Sequence, residues 1–316
     1  MYNQEGETLR NRISDIYRKS DLGYLITRPF YRLYEFGLKV IPDEIIIKRS
    51  FKRHMGYSLN LDNPQTLNEK INWLKLYDRK DLHTIVADKY KVRDYVEKKI
   101  GKKYLIPLLY HTNNPEDLKP ENLPDKNYII KANHNSSGGV IVREASKINW
   151  KATRKRFKRS LKENHYYSTI EWQYKNIEPR IVVEKLLTYE DGSIPDDYKF
   201  HCFNGKFAFV MIDFDRHSDK RTRNLYDKDW QLIPCEWGRP NGKKLQKPNN
   251  FDEMKKLAEK LAEDFTYVRV DFYLVKGNIY FGEITFHHAS GFQKFTQEEC
   301  DLKFGQQLKI ATDNEQ

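Results

Sequence analysis

The sequence predicts an α+β protein with a mostly helical N-terminal part, on three observations. Two alternating runs, Val268-Arg269-Val270-Asp271-Phe272 and Gly282-Glu283-Ile284-Thr285-Phe286, read as paired strands, because successive strand side chains point to opposite faces. Asn204-Gly205 separates two more strand-like runs and is a strong hairpin signal. Phe251, Met254, Ala258, Leu261 and Phe265 share one helical face just before the first acidic strand.

Along the chain, residues 1–80 read as mostly helical and basic. Tyr24 to Ile47 mixes aromatics and aliphatics with Arg28, Arg32 and Lys39; a helix packed on the main body is favoured there over one lying at a membrane interface. Asn63-Pro64-Gln65-Thr66 breaks the chain before a helix over Leu67 to Tyr77, and Thr66 with Glu69 forms a capping-box signal. A second helix is expected from Asp88 to Lys99, stopping at Gly101. Tyr128 to Lys131 is a short strand, Asn133 to Gly139 a polar turn, and Val140 to Val142 the return strand. Trp150 to Ile170 reads as a basic helix whose cations, Lys151 to Arg159, form a solvated face rather than a groove. Strands follow over Arg180 to Leu187, Tyr198 to Phe203 and Lys206 to Asp213, then the Phe251 helix, with Asn250 and Glu253 as its cap.

If Lys276-Gly277-Asn278 is a three-residue hairpin loop, Asp271 faces Glu283 and Arg269 faces Thr285. One face then gathers those four polar residues. The other, Val268, Val270, Phe272, Leu274, Tyr280, Ile284 and Phe286, is core-like. Neighbouring carboxylates repel unless a cation or a shared proton holds them, and hard oxygen ligands beside an arginine suggest magnesium carrying a phosphate.

A chain of 316 residues can bury a sizeable core, and two lobes are expected rather than one. The net charge of +11 favours an anionic partner: nucleotide, acidic polysaccharide, anionic membrane or nucleic acid. Cys202, Cys235 and Cys300 are scattered, with no C-x-x-C, so neither a zinc site nor a disulfide framework is expected, as suits a reducing cytoplasm. The polar start is not a signal peptide, and no apolar run approaches the ~20 residues of a membrane span. Neither zinc-finger nor RNP-type motifs accompany the charge, so nucleic acid is not the expected partner.

Lys131 at a strand end, followed by Asn135-Ser136-Ser137-Gly138-Gly139, can bring an ammonium and backbone N–H groups around a polyphosphate, although a Ser-Gly-Gly turn is by itself ordinary hairpin chemistry. Asp213-Phe214-Asp215 matches the D-x-D pattern of metal-dependent glycosyltransferases, which is the competing reading. His287 and His288 are adjacent on a strand, so they point apart and do not share a metal.

Taken in order and spacing, seven segments resemble the ATP-grasp fold, and within it the TupA-like group linked to teichuronopeptide and surface-polysaccharide synthesis. They are Thr66 to Trp73, Ala87 to Tyr90, Tyr128 to Lys131 with its turn, Val182 to Leu187, Asp197 to Phe200, Arg269 to Asp271 and Phe281 to Phe286. The resemblance implies two α+β subdomains clamping ATP after a helical extension. The expected divisions are 1–80 helical and basic, 81–130 connecting, 131–187 lid, 188–310 core, and 311–316 a disordered tail.

Residue roles follow from the resemblance. Lys89 and Lys131 would reach the ATP phosphates, under a lid containing Ser136, Ser137, Gly138 and Gly139. Glu184, Lys185 and Leu187 would line the adenine pocket, and Asp197 would meet the ribose. Arg269 with Lys131 would stabilise the transferring phosphoryl group, and Asp271, Glu283 and Thr285 would hold Mg²⁺. Thr285 stands where many members carry Asn, so a second metal is left open. Lys199, Arg221 and Arg223 are expected near phosphate or acceptor. Residues 1–80 lack the strand–helix alternation with which many such enzymes begin. The implied reaction joins a carboxylate, activated as an acyl phosphate, to an amine: an amino acid and a uronic acid on a polysaccharide or lipid-linked sugar. The implied place is the cytoplasm, with peripheral contact to an anionic membrane at its inner face.

Overall fold

The structure is a computed structural model, described over residues 21–136, 138–214 and 221–312. Ser137, Asp215 and most of the expected tail lie outside the described residues. The chain divides into two compact units, Met1–Ile46 and Ile47–Gln316. The first unit contains helix α1 (Asp21–Val40) and the start of α2 (Asp43–Met55).

In the second unit, Ile47, Phe51 and Met55 are buried at a four-residue spacing along α2. Helix α3 (Leu67–Tyr77) starts where its cap predicts. The Thr66 hydroxyl accepts from the Glu69 amide, and the Glu69 carboxylate accepts from the Thr66 amide at 3.1 Å. The helix expected from Asp88 begins later, as α5 (Val92–Lys99), after a separate α4 (Asp81–Ala87). The reason is local. Asp88 Oδ1 accepts from the Tyr90 and Lys91 amides, at 2.8 and 3.4 Å, and this turn competes with helix.

Four antiparallel strands, in the order β1-β4-β2-β3, form the first sheet: β1 (Leu108–Thr112), β2 (Tyr128–Ala132), β3 (Val140–Val142) and β4 (Ile181–Lys185). Phe157 of α6 (Trp150–Ser160) packs with Leu118, Tyr128, Ile130, Val142, Ile181 and Val183. The basic helix expected to reach Ile170 is split. Only a short α7 (Tyr166–Thr169) follows α6, and Ile170 is left-handed at φ 56°.

Six antiparallel strands, in the order β10-β9-β5-β6-β7-β8, form the second sheet. They are β5 (Asp197–Phe203), β6 (Lys206–Phe214), β7 (Thr222–Tyr226), β8 (Leu232–Ile233), β9 (Tyr267–Val275) and β10 (Asn278–Thr285). Asn204 and Gly205 turn β5 into β6 with positive φ at both positions, as a two-residue hairpin needs. Helix α8 (Phe251–Ala262) covers one face, burying Phe251, Met254, Ala258 and Leu261 against Phe200, Val268, Val270 and Phe272. Each large apolar side chain so buried contributes about 1.5–3 kcal/mol. Asn250 stands at the N-cap of α8 but makes no capping bond, and Glu253 instead accepts from the Tyr104 hydroxyl at 2.8 Å. On the opposite face α3 and α9 (Glu298–Gln307) cover Phe209, Met211 and Trp237.

The β9–β10 connection differs from the expected loop. Val275 pairs with Asn278, so the turn is two residues, Lys276 and Gly277, both at positive φ. On that register Asp271 would face Gly282. The register shifts by one residue between Phe281 and Glu283, and the expected pairs, Asp271 with Glu283 and Arg269 with Thr285, are restored. The bulge also exchanges the core residues: Ile279 and Phe281 are buried, whereas Tyr280 is half-buried.

Cys235 and Cys300 form a disulfide, contrary to the expectation from the sequence. Sixty-five residues separate them, a pairing only the fold creates by bringing α9 beside the segment after β8. Cys202 is free and buried. Among the described residues no helix is long and apolar enough to cross a membrane.

Candidate active site

Strands β9 and β10 carry an acidic ledge on the face of the second sheet opposite α8. Arg269 donates from Nε to Asp271 Oδ1 and from Nη2 to Asp271 Oδ2, both at 2.7 Å. Nη2 also donates to Glu283 Oε1 at 2.6 Å, and Nη1 donates to His288 Nδ1 at 2.8 Å. Thr285 Oγ1 donates to Glu283 Oε1 at 3.2 Å. The Asp271 side chain is 4% exposed and that of Glu283 39%, so Glu283 is the outer carboxylate. Burial raises the Asp271 pKa, and Glu283 adds to the rise while Arg269 opposes it. Burial would raise Glu283 as well, but Arg269, Lys89 and Lys199 hold it below the ordinary carboxylate value. Burial alone would weaken the Arg269 cation; Asp271 and Glu283 outweigh it.

Lys89 comes to this ledge from the Asp88 turn. It lines a small pocket with Tyr174, Gly282 and Glu283, and its ammonium donates to the Asn135 carbonyl. Burial lowers its pKa, and Glu283 works against that shift. Lys131, on β2, donates to Glu184 Oε2 at 2.9 Å, and Arg93 of α5 donates to Glu184 Oε1 at 3.2 Å. Two cations therefore clamp Glu184 on β4. Lys185 beside it is exposed and Leu187 is half-buried.

Asn133 locks these parts together. Its Nδ2 donates to Asp88 Oδ1 at 2.8 Å and to the Glu178 carbonyl at 2.9 Å, while its Oδ1 accepts from the Arg180 amide at 2.7 Å. The sequence reading missed the roles of Asn133 and Arg93, whose only local signal is polarity near a strand end and on a basic helix. The turn after β2 is tight. A Cβ on Gly139 would lie 2.6 Å from the Ile130 carbonyl oxygen. Gly138 has φ 72°, and the Ser136 hydroxyl meets His165 Nε2 at 3.3 Å.

A row of buried charge extends the ledge across β5, β6 and β7. Lys199, opposite Asp271 in register, pairs with Asp197 at 2.9 Å and Asp213 at 3.2 Å. Arg223 Nε donates to Asp213 Oδ1 at 2.6 Å, and its Nη1 donates to the Trp237 carbonyl and to Gln293 Oε1, both at 2.8 Å. Burial opposes ionisation of Asp213, yet Lys199 and Arg223 bring its pKa down to about 2. Asp213 thus meets two protein cations, and Asp215, the other acid of the D-x-D pattern, lies outside the described residues. Arg221 is exposed just before β7. His288 contacts Arg269, whereas His287 Nδ1 accepts from Gln173 Nε2 at 3.3 Å, so the two histidines diverge as expected.

The donor set fits a hard divalent ion. Asp271, Glu283 and Thr285 offer oxygen only, and Glu283 Oε2 accepts no hydrogen bond among the described residues. Among those residues no cluster of three or more His, Cys, Asp or Glu gathers for a metal. Further ligands would have to be phosphate and water, the usual habit of Mg²⁺.

The model of the TupA-like ATPgrasp family matches residues 69–309. No curated protein matches the chain. Similar solved structures include a D-alanine–D-alanine ligase from Bacillus anthracis complexed with ATP, 16% identical, covering 64% of this chain and 55% of that one at a TM-score of 0.37. An L-amino acid ligase from Bacillus licheniformis is 11% identical, covering 79% and 56% at 0.43. A phosphoribosylamine–glycine ligase from Thermotoga maritima is 16% identical, covering 65% and 49% at 0.38. The chain spans about half the length of these structures.

Proposed function

This chain belongs to the TupA-like ATP-grasp family, and from that premise we propose that it is an ATP- and Mg²⁺-dependent ligase joining a carboxylate to an amine. The observation that carries this reading is the ledge itself: two carboxylates in register, bridged by Arg269, with Lys89 lining the same pocket as Glu283. Asp271, Glu283 and Thr285 would hold the magnesium, which when bound offsets phosphate charge.

The chain's own cations do the rest. Arg269 and Lys131 stabilise charge on the moving phosphoryl group, and Lys89 binds the ATP phosphates. An acceptor carboxylate oxygen bonds to the γ-phosphorus as the bond to ADP breaks. The amine nitrogen then attacks the acyl carbon, inorganic phosphate leaves, and the amine gives up a proton. Asn135 to Gly139 covers the phosphates and excludes water from the acyl phosphate. Glu184, Lys185 and Leu187 line the adenine site, and Asp197 meets the ribose. We assign Lys199, Arg221 and Arg223 to contacts with phosphate or the acceptor.

The substrate pair we infer is an amino acid and a uronic acid of a surface polysaccharide, capsular, teichuronopeptide-like or O-antigen, or its lipid-linked precursor. Family membership supports this, and no single residue does. The test is ATP-dependent ADP release over a panel of uronic acids, amino acids and amines, with hydroxylamine present to trap acyl phosphate. Hydroxamate formation with one acid class is expected. Turnover of a nucleotide-sugar without ATP, and no hydroxamate from any acid, would overturn the proposal.

A further inference from the structure

The turn that follows β10 is strained, and buried contacts hold it so. Ala289, Ser290 and Gly291 have φ of 47°, 55° and 67°, a left-handed run that costs the two non-glycine residues free energy. Lys75 Nζ, on α3, donates to the Ser290 carbonyl at 2.6 Å, and Asn72 Nδ2 donates to the Gly291 carbonyl at 2.8 Å. The Ser290 hydroxyl donates to Glu171 Oε1 at 2.5 Å. Strain maintained by this many contacts points to a group that must be aimed. The residue at the start of the turn is His288.

His288 is 5% exposed, and its ring packs against Trp237 and His201, with centroids 4.4 and 5.4 Å away. An arginine N–H can only donate, so the bond from Arg269 Nη1 needs a bare Nδ1, and the neutral ring then carries its proton on Nε2. Burial, with Arg269 adding to it, keeps the ring neutral. Nε2 has no hydrogen-bond partner among the described residues. Packing alone would favour an apolar ring here, because an unpaired buried N–H is costly. What histidine adds is the lone pair on Nδ1.

We propose that His288 is a positioning residue that acts through Arg269: it holds one Nη1 hydrogen, so that the other stays turned to the transferring phosphoryl group. The inference rests on the ligase reading and deepens it. A guanidinium has five N–H donors. In Arg269 three go to Asp271 and Glu283 and one to His288, and the fifth, on Nη1, has no partner among the described residues. The two carboxylates are also the oxygen donors assigned to magnesium, which competes with Arg269 for them. Among the described residues His288 is the one side chain bonded to the guanidinium that is not such a donor. Its hold on Arg269 therefore does not depend on whether the metal is bound.

The test is steady-state kinetics of full-length His288→Leu and His288→Asn with MgATP and the acid that yields hydroxamate. Asparagine keeps an acceptor near the place of Nδ1, and leucine keeps none. In the leucine variant kcat should fall about 10- to 100-fold while KM for ATP stays within about twofold, as when a transition-state contact is misaimed. The asparagine variant should recover most of that loss. Wild-type kcat in the leucine variant overturns the proposal, as does a rise in KM alone or an asparagine variant no better than leucine. A second readout needs neither turnover nor a folded leucine variant. Nitrogen-15 correlation spectra of the ligand-free wild type at neutral pH, with the His288 signals identified by their loss in the asparagine variant, should show Nδ1 bare and Nε2 protonated. A proton on Nδ1 overturns the proposal. A wild type that makes no hydroxamate from any acid removes the ligase reading and this role with it, whereas wild-type turnover that leucine leaves unchanged removes this role alone.

Discussion

Asp271 and Glu283 face each other across β9 and β10 because of a one-residue bulge, and a single guanidinium, that of Arg269, bonds to both. A strict two-residue hairpin would put Gly282 opposite Asp271. The acidic ledge therefore depends on a local irregularity as much as on its charged residues.

Glu283→Gln keeps the shape and removes the charge of the outer carboxylate. ADP release should fall by about 100-fold or more, the scale of one lost electrostatic contact in a transition state. The melting temperature should stay close to wild type, since Arg269 keeps Asp271. Full turnover in this variant would exclude Glu283 from the metal site.

Arg269→Ala leaves Asp271 buried with its main counter-charge gone. Breaking a buried pair in this way costs about 3–5 kcal/mol. Urea denaturation should show that loss, and the double variant Arg269→Ala/Asp271→Asn should recover part of it, because no unpaired charge then remains. An equally unstable double variant would mean that packing, not charge, holds Arg269.

Gly282→Ala tests the bulge. The added Cβ would lie 3.0 Å from Tyr273 Cε2 and 3.1 Å from the Asp271 carbonyl oxygen, both tight. Such overpacking costs about 1–3 kcal/mol. Mg-dependent turnover should drop further than the stability loss explains, because the strand shift moves Glu283 away from Arg269. Turnover that tracks only the folded fraction would show that the ledge tolerates the strain.

Asp301→Asn should flatten a pH dependence. Asp301 on α9 accepts from the Asn68 amide at 3.0 Å and from its Nδ2 at 2.8 Å, and burial raises its pKa from 3.8 to about 6. A carboxyl whose pKa is raised by folding stabilises the fold while protonated. That contribution is present below pH 4 and is lost as pH rises through 6, about 3 kcal/mol in all. The urea midpoint of the wild type should therefore fall relative to that of the variant between these pH values. Parallel curves would remove Asp301 from the account.

Much of the fold was legible because short-range rules governed it. The Thr66–Glu69 box set the start of α3, and Asn204-Gly205 set the β5–β6 turn. Where competing local bonds acted, the reading failed: the Asp88 side chain cut a helix short, and the Asn250 cap was not made. The Asp271–Glu283 pairing was reached through a three-residue loop that does not exist, with the bulge supplying the missing residue. Strand alternation marked Arg269, Asp271 and Glu283, a strand end before a glycine turn marked Lys131, and Lys89 was reached only through the family resemblance.

By itself the sequence carried the resemblance that pointed to the family, the Asn204-Gly205 hairpin and the shared face of Arg269, Asp271, Glu283 and Thr285, the last two because strand alternation and turn propensity act within a few residues. Only the tertiary structure decided that Arg93 and Lys131 clamp Glu184, that Asn133 pins the Asp88 turn, that Asp213 is spent on Lys199 and Arg223, and that Cys235 meets Cys300. These contacts join residues distant in sequence. Their energies come from burial and from charges held at close range, and neither exists until the chain has packed.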